Sequence, residues 1–162
     1  MAVCRWSKPG AQRGFVLIVT SLALTLLLGV AGLAIDMGRM YMIRAELQSF
    51  TDAAALSAAL QLDGTSTGLA HARDGAKRLA AGPHAMRWDM GTQPIDGIAT
   101  SFSADQSNWQ EQPTQPAVRF VRVVASEPAP LIFMRIFQAR SSTTVAAASV
   151  AAKTEGSVRW VE

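Results

Sequence analysis

The feature that most constrains this chain is an apolar run near its start, FVLIVTSLALTLLLGVAGLAI, Phe15 to Ile35, which holds no charged side chain. At about 1.5 Å of rise per residue it measures roughly 30 Å as a helix, the thickness of a bilayer's hydrocarbon core. A lone segment in lipid must satisfy its own backbone donors and acceptors, and a helix does so. The run therefore predicts a transmembrane helix over residues 15–35, with the lipid bilayer as the first expected partner. Two other readings stay open. A cleaved signal sequence is one, since Gly32 and Ala34 make a weak cleavage pattern before Ile35, although signal cores run to only about 7–15 residues. A buried core helix of a soluble protein is the other.

Charge sets the expected orientation. The formal net charge is +3, and the excess lies entirely in the first 14 residues, where Arg5, Lys8 and Arg13 face no acid. The remainder is balanced, with 12 basic and 12 acidic residues. Basic residues flanking a span favour the cytoplasmic side. Residues 1–14 are therefore expected as a cytoplasmic tail and 36–162 as one exported domain. In a bacterium this means the inner (cell) membrane, with the domain periplasmic or extracellular. A charge-balanced domain carries no electrostatic footprint for nucleic acid, and none is expected as a partner. The one cysteine, Cys4, lies in the tail. The exported part has no disulfide to lean on and must fold on its core alone. Trp6 suits the cytoplasmic headgroup boundary.

Beyond Ile35 the chain turns polar without a helix breaker. Met40, Ile43, Leu47, Phe50 and Ala54 recur in alternating three- and four-residue steps, an amphipathic stripe. One helix from Phe15 to about Leu62 is predicted, roughly 70 Å long, ended by Asp63-Gly64. Thr65 or Ser66 can cap a second helix, about Thr67 to Ala81, stopped by Gly82-Pro83. The short link makes the two helices antiparallel partners. The period then changes. Residues 85–90 suit a short strand, 95–103 a strand alternating through Ile98, Thr100 and Phe102, and 104–116 a loop. AVRFVRVVAS, 117–126, is the clearest strand, and Glu127-Pro128-Ala129-Pro130 is expected to end it because proline donates nothing to a ladder. A helical turn is expected at 131–137. A buried strand at 142–152, a break at Gly156 and a last strand, SVRWV, complete an α+β fold: a long N-terminal transmembrane helix continuing into an exported helix, a second helix and a small antiparallel sheet.

Little points to chemistry. His71 and His84 are the only histidines; Asp74 follows His71, and no third metal ligand accompanies them. No nucleophile elbow, phosphate loop or acid pair beside a histidine occurs. Neither enzymatic activity nor a cofactor or metal is expected. Trp88, Trp109 and Trp160 read as core or rim. Gly29 and Gly32, a small-x-x-small pair, are candidates for membrane-helix packing. Asp36, just past the span, either marks the water boundary or pairs with Arg39 or a partner and sets the helix register. The stripe from Met40 to Ala54 either packs on its own domain or serves in part for a partner helix.

Several of these residues form a pattern. Arg13-Gly14 precedes the apolar run; Ala34-Ile35-Asp36-Met37-Gly38-Arg39-Met40-Tyr41 follows it; Leu47-Gln48 and Thr51-Asp52-Ala53-Ala54-Ala55-Leu56 come next. This order resembles the N-terminal module of TadG-like Flp (Tad) pilus-assembly proteins, closely over 13–59. A looser likeness covers 117–152, through Arg122-Val123-Val124, Phe133 and Phe137, and Val145 to Ala151. The resemblance implies a non-enzymatic, single-pass component of Tad pilus assembly acting through helix-mediated protein contacts. Its expected partners are other Tad/Flp assembly proteins or a second copy of the chain. The candidate partner-binding residues are Asp36, Gly38, Arg39, Leu47, Gln48 and Asp52. Some family members add a von Willebrand A domain with a DxSxS metal site. Here Asp105-Gln106-Ser107-Asn108-Trp109 lacks the second serine, and the chain is too short for that domain. The alternative function is a membrane-tethered periplasmic module that binds a cell-wall or surface ligand.

Related TadE-type pseudopilins are cut after a glycine that is followed five residues later by glutamate. Gly14 is present, but Val19 occupies that fifth position. The expected outcome is no peptidase cut at Gly14. Intact-mass measurement of membrane-extracted protein checks this, and a mass beginning at Phe15 would overturn it.

Overall fold

The computed structural model describes residues 11–115, 117–136, 139–154 and 157–160, with backbone alone at 11–13, 154 and 157–160. Cys4, Trp6, the tail's Arg5 and Lys8, Phe137 and Gly156 lie outside the described residues, and so does the side chain of Trp160.

One helix, α1, runs unbroken over Ala11–Leu60. Its two halves face different surroundings. From Gly14 to Ile35 nearly every side chain is exposed, and Gly32 is the buried exception. From Asp36 onward one face is enclosed: Ile43, Leu47, Phe50, Ala54, Ala55, Ala58 and Ala59 are buried, with Met40 half-buried at the start of the stripe. The stripe therefore packs within its own domain. The helix ends two residues short of the expected Leu62. Gln61 N–H donates to Ala58 O and Leu62 N–H to Ala59 O, tightening the last turn.

A left-handed Gly64 (φ 81°) then turns the chain into α2, Ser66–Arg78. Thr65 is the cap: its Oγ1 accepts Gly68 N–H at 3.0 Å, while Asp63 Oδ1 accepts Thr65 N–H at 2.9 Å. Ala72, Ala76 and Leu69 of α2 are buried against α1. The small side chains let the two backbones close up. Ser57 of α1 donates to Gly75 O at 3.3 Å, and a Cβ on Gly75 would sit 3.3 Å from Ser57 Oγ.

Two two-residue strands, β1 (Arg87–Trp88) and β2 (Gln93–Pro94), form a small hairpin. Asp89, Met90 and Gly91 turn it with positive φ. The main sheet is antiparallel in the order β3-β4-β5-β6, comprising Ile98–Ser103, Phe120–Pro130, Ser142–Thr154 and Ser157–Trp160. Helix α1 packs on β4 and β5. Val121, Val123, Ala125 and Ala129 of β4 are buried, while Phe120, Arg122 and Val124 alternate as half-buried. The turn between β4 and β5 carries a short 3-10 helix, Met134–Ile136.

The end of β4 also differs from the expected one. Strand β4 does not stop at Glu127; it pairs with β5 through Pro128↔Thr144 and Pro130↔Ser142. Ser126 N–H donates to Gly97 O on the β3 side. By the two-residue alternation, the even positions of β4 face β3 and the odd positions donate to β5. Pro128 and Pro130 thus aim their donor-less nitrogens past the end of β3, where no ladder bond is missed. Glu127 fills that corner, its Oε1 accepting Asp96 N–H at 2.7 Å and Gly97 N–H at 2.8 Å. Gly97 must be glycine, because a Cβ there would collide with Ser126 O.

Ala45 is exposed in the middle of α1. Proline there removes one helix donor and clashes with the preceding turn, at a cost of about 3 kcal/mol. Ala45→Pro is expected to lower the denaturant midpoint of the detergent-solubilised domain accordingly. An unchanged midpoint would show that the helix does not carry the fold through this point.

Candidate functional site

Polar residues of the second half of α1 reach three distant parts of the chain. Asp36 is buried, at 2% exposure. Its Oδ1 accepts Ile132 N–H at 3.1 Å, and its Oδ2 accepts Phe133 N–H at 2.9 Å and Met134 N–H at 2.7 Å. One carboxylate thus receives the opening amides of the β4–β5 turn. Burial pushes this carboxyl up; the three N–H groups and the Arg39 charge outweigh it and hold it below the usual carboxylate range. Asp36 is therefore neither a solvated boundary marker nor an ion-pair partner of Arg39. It fastens a turn 96 to 98 residues away in sequence.

Arg39 turns to the hairpin instead. Its Nη2 lies 2.6 Å from Asp89 Oδ2 and 2.8 Å from Oδ1, and its Nε donates to Oδ1 at 3.1 Å. This is a bidentate pair, half shielded from water, a geometry that binds more firmly than an exposed contact. Glu46, two turns up the helix, accepts Met90 N–H at 3.0 Å. Together they pin the hairpin tip against α1.

Gln48 and Asp52 reach the sheet. Ser149 of β5 donates to Asp52 Oδ1 at 2.5 Å, accepts from Gln48 Nε2 at 2.9 Å, and lies 2.8 Å from Thr51 Oγ1. Gln48 also donates to Asp52 Oδ1 at 2.8 Å. Buried polar groups are costly unless satisfied, and this cluster satisfies itself across the helix–sheet boundary. Leu47 sits between these clips, fully enclosed. Gly38 is exposed, with open space where a Cβ would be.

The two glycines of the apolar run occupy different positions. Gly32 is covered by Phe133 of the chain's own turn; a Cβ there would lie 2.7 Å from the ring and 2.8 Å from Phe133 Cβ. Gly29 lies one turn lower and lines an apolar groove with Leu26, Val30, Leu33, Phe133 and Met134.

Sequence reasoning did not find Asp89, Glu46 or Ser149, whose partners lie 44 to 101 residues away. The usable signal was polar residues set beside the buried stripe: Gln48 next to Leu47, and Thr51-Asp52 next to Phe50. His71 and His84 are exposed. Among the described residues no group of histidine, cysteine or acidic side chains stands together as a metal site. Asp105 accepts from Ser107, Asn108 and Ser103 of its own loop, which hold its carboxyl well below the usual range.

The Asp36 clamp gives a signed pH dependence. A carboxyl held below its ordinary value contributes stability that is complete above the unfolded value of about 3.9 and is lost as pH falls through the folded one. Amide exchange at Phe133 and Met134 is therefore expected to be slow at neutral pH and to accelerate on acidification below about 4 relative to the intrinsic rate. Asp36→Asn should give fast exchange already at neutral pH, with the acid-dependent rise gone. Gly32→Ala, which drives a methyl into Phe133, should also speed exchange at these amides. Slow exchange in both variants would show that the turn is held by something else.

An exposed α1 belt is the last element of the site. The helix is long and apolar enough to cross a membrane, with a mean hydropathy of 2.5 over its most apolar window, and 6% of that window is buried. A core helix of a soluble protein would have most of this surface covered. No curated protein and no solved structure matches the chain. Residues 14–61 match the family model described as putative Flp pilus-assembly TadE/G-like. The match runs from the start of the belt to one residue past the end of α1 and takes in the clip residues Asp36, Arg39, Gln48 and Asp52; over residues 14–61 the chain is similar to TadE/G-like Flp pilus-assembly proteins.

Proposed function

We propose that the protein is a non-enzymatic, membrane-anchored component of Tad/Flp pilus assembly, of the TadG-like kind. Residues 1–14 are its cytoplasmic tail, 15–35 its span and 36–162 its exported domain, in the bacterial inner membrane. The observation that carries this reading is the coincidence of the family match with one unbroken helix that is both apolar belt and core spine. Such a helix holds the domain at a fixed height and direction above the bilayer, and a pre-oriented surface loses less entropy on docking.

The partner contact is assigned to the face of α1 that the domain leaves open. Met37, Tyr41 and Met42 are exposed there, Tyr41 at 76%, with Gly38 among them. Methionine and tyrosine are adaptable contact residues, and a glycine admits close approach of another helix. The clip residues Asp36, Arg39, Gln48 and Asp52, with Leu47, act on this contact by fixing the domain in register with the helix. The exposed apolar strip favours an assembly component over a tethered ligand-binding module.

Gly38 separates partner contact from folding. It meets nothing within 4 Å in its own chain. Gly38→Ala is expected to stabilise the helix by about 0.5–1 kcal/mol. Gly38→Leu should keep the fold and the membrane level yet abolish piliation, together with photocrosslinking from Tyr41 to a pilus-assembly protein. Normal piliation and crosslinking in Gly38→Leu would contradict this assignment.

A further inference from the structure

We propose that the β4–β5 turn, Leu131 to Ile136, is a second membrane-contacting element that embeds in the outer leaflet beside α1 and packs on acyl chains. The proposal rests on the reading of α1 as a membrane anchor and adds a contact which that reading does not contain.

Height is the first argument. Phe133 lies directly on Gly32, four residues before Asp36 and about 6 Å further toward the membrane interior. The groove beneath the turn continues down α1 to Leu26, about 15 Å below Asp36. Any bilayer that covers residues 15–35 also reaches this turn.

Surface chemistry is the second. Ile132 is 51% exposed and Ile136 76%, with Phe133 at 36%. Phe133 and Met134 line a groove against the bare apolar flank of α1 with Val30 and Leu33, and the exposed Ile132 and Ile136 bracket them in sequence. The turn thus extends the helix's lipid-facing surface sideways. Arg135, within the turn, and Arg140, four residues after it, are both exposed. Such long cations lay their stems on apolar surface and carry their charge to the headgroup level.

Backbone accounting is the third. Non-helical backbone is tolerated at membrane depth only when its polar groups are satisfied within the protein. The amides of Ile132, Phe133 and Met134 all donate to Asp36. Ile136 N–H donates to Phe133 O, and Leu131 N–H to Ser141 O. Each of these donors is withdrawn from lipid.

Spin-label accessibility tests this in the full chain, reconstituted in vesicles of phosphatidylcholine and phosphatidylglycerol. In a Cys4→Ser background, single cysteines replace Ile132 or Ile136, with Leu24 and Leu33 as controls in the span and Lys77 as a control in water. The expected result is a ratio of oxygen to water-soluble nickel-complex collisions at 132 and 136 that is several-fold above that at 77 and close to that at 33. If 132 and 136 behave like 77 while 24 stays in lipid, the embedded turn is refuted and the anchor stands. If 24 is water-accessible as well, the anchor reading falls and the proposal falls with it. If 132 and 136 are shielded from both reagents, a partner helix covers the turn and the lipid assignment is overturned.

Discussion

A helix that leaves lipid and enters a protein core must change what its sides face without breaking its hydrogen-bond ladder. With its first half read as the membrane anchor, helix α1 meets that constraint over 50 residues, and the rest of the fold is arranged around it. In lipid an apolar surface on all sides is stable. Above lipid, helix stability comes chiefly from packing an apolar face, and the buried stripe from Ile43 to Ala59 supplies one. The transition is marked by Asp36. Its carboxylate gathers the opening amides of the β4–β5 turn, so the lower edge of the domain is fastened at the point where the helix changes surroundings.

The polar residues that follow repeat this device at rising height. Arg39 and Glu46 take the hairpin tip, and Gln48, Thr51 and Asp52 take Ser149 at the centre of β5. Each clip joins α1 to an element from a different stretch of the chain. An alanine-rich interface packs closely but gives few large side chains to fix rotation. Directional hydrogen bonds do fix it, because a helix turned by one residue would carry every clip off its partner. Holding the domain in one rotational setting also decides which face of α1 is left open, and with it where Gly38 and Tyr41 point.

The long helix was legible because its two signals are strong and local: a charge-free run of bilayer length, then a stripe at helical spacing. The second helix was legible from Thr65 and Gly82, with its C-terminus overestimated by three residues. The main strands followed from alternation. The end of β4 was misjudged at Pro128 and Pro130 because whether a proline breaks a ladder depends on which neighbour its nitrogen faces, which is a property of the sheet. The site was legible in part. The family-like pattern pointed to Asp36, Arg39, Gln48 and Asp52, but their partners Ile132–Met134, Asp89 and Ser149 are brought near only by the completed fold. The packing of Phe133 on Gly32 was likewise hidden: a small residue signals room for a close approach and does not say what approaches.

In this arrangement α1 carries the domain in one fixed orientation relative to the apolar belt. Electron–electron double resonance between spin labels at Leu24 in the belt and Thr114 in the domain measures this directly, in a Cys4→Ser background and in lipid nanodiscs. A single narrow distance distribution is predicted, broadened when Asp36→Asn and Arg39→Ala remove the lower clips together. A broad or multi-peaked distribution in the otherwise unaltered chain would contradict the account.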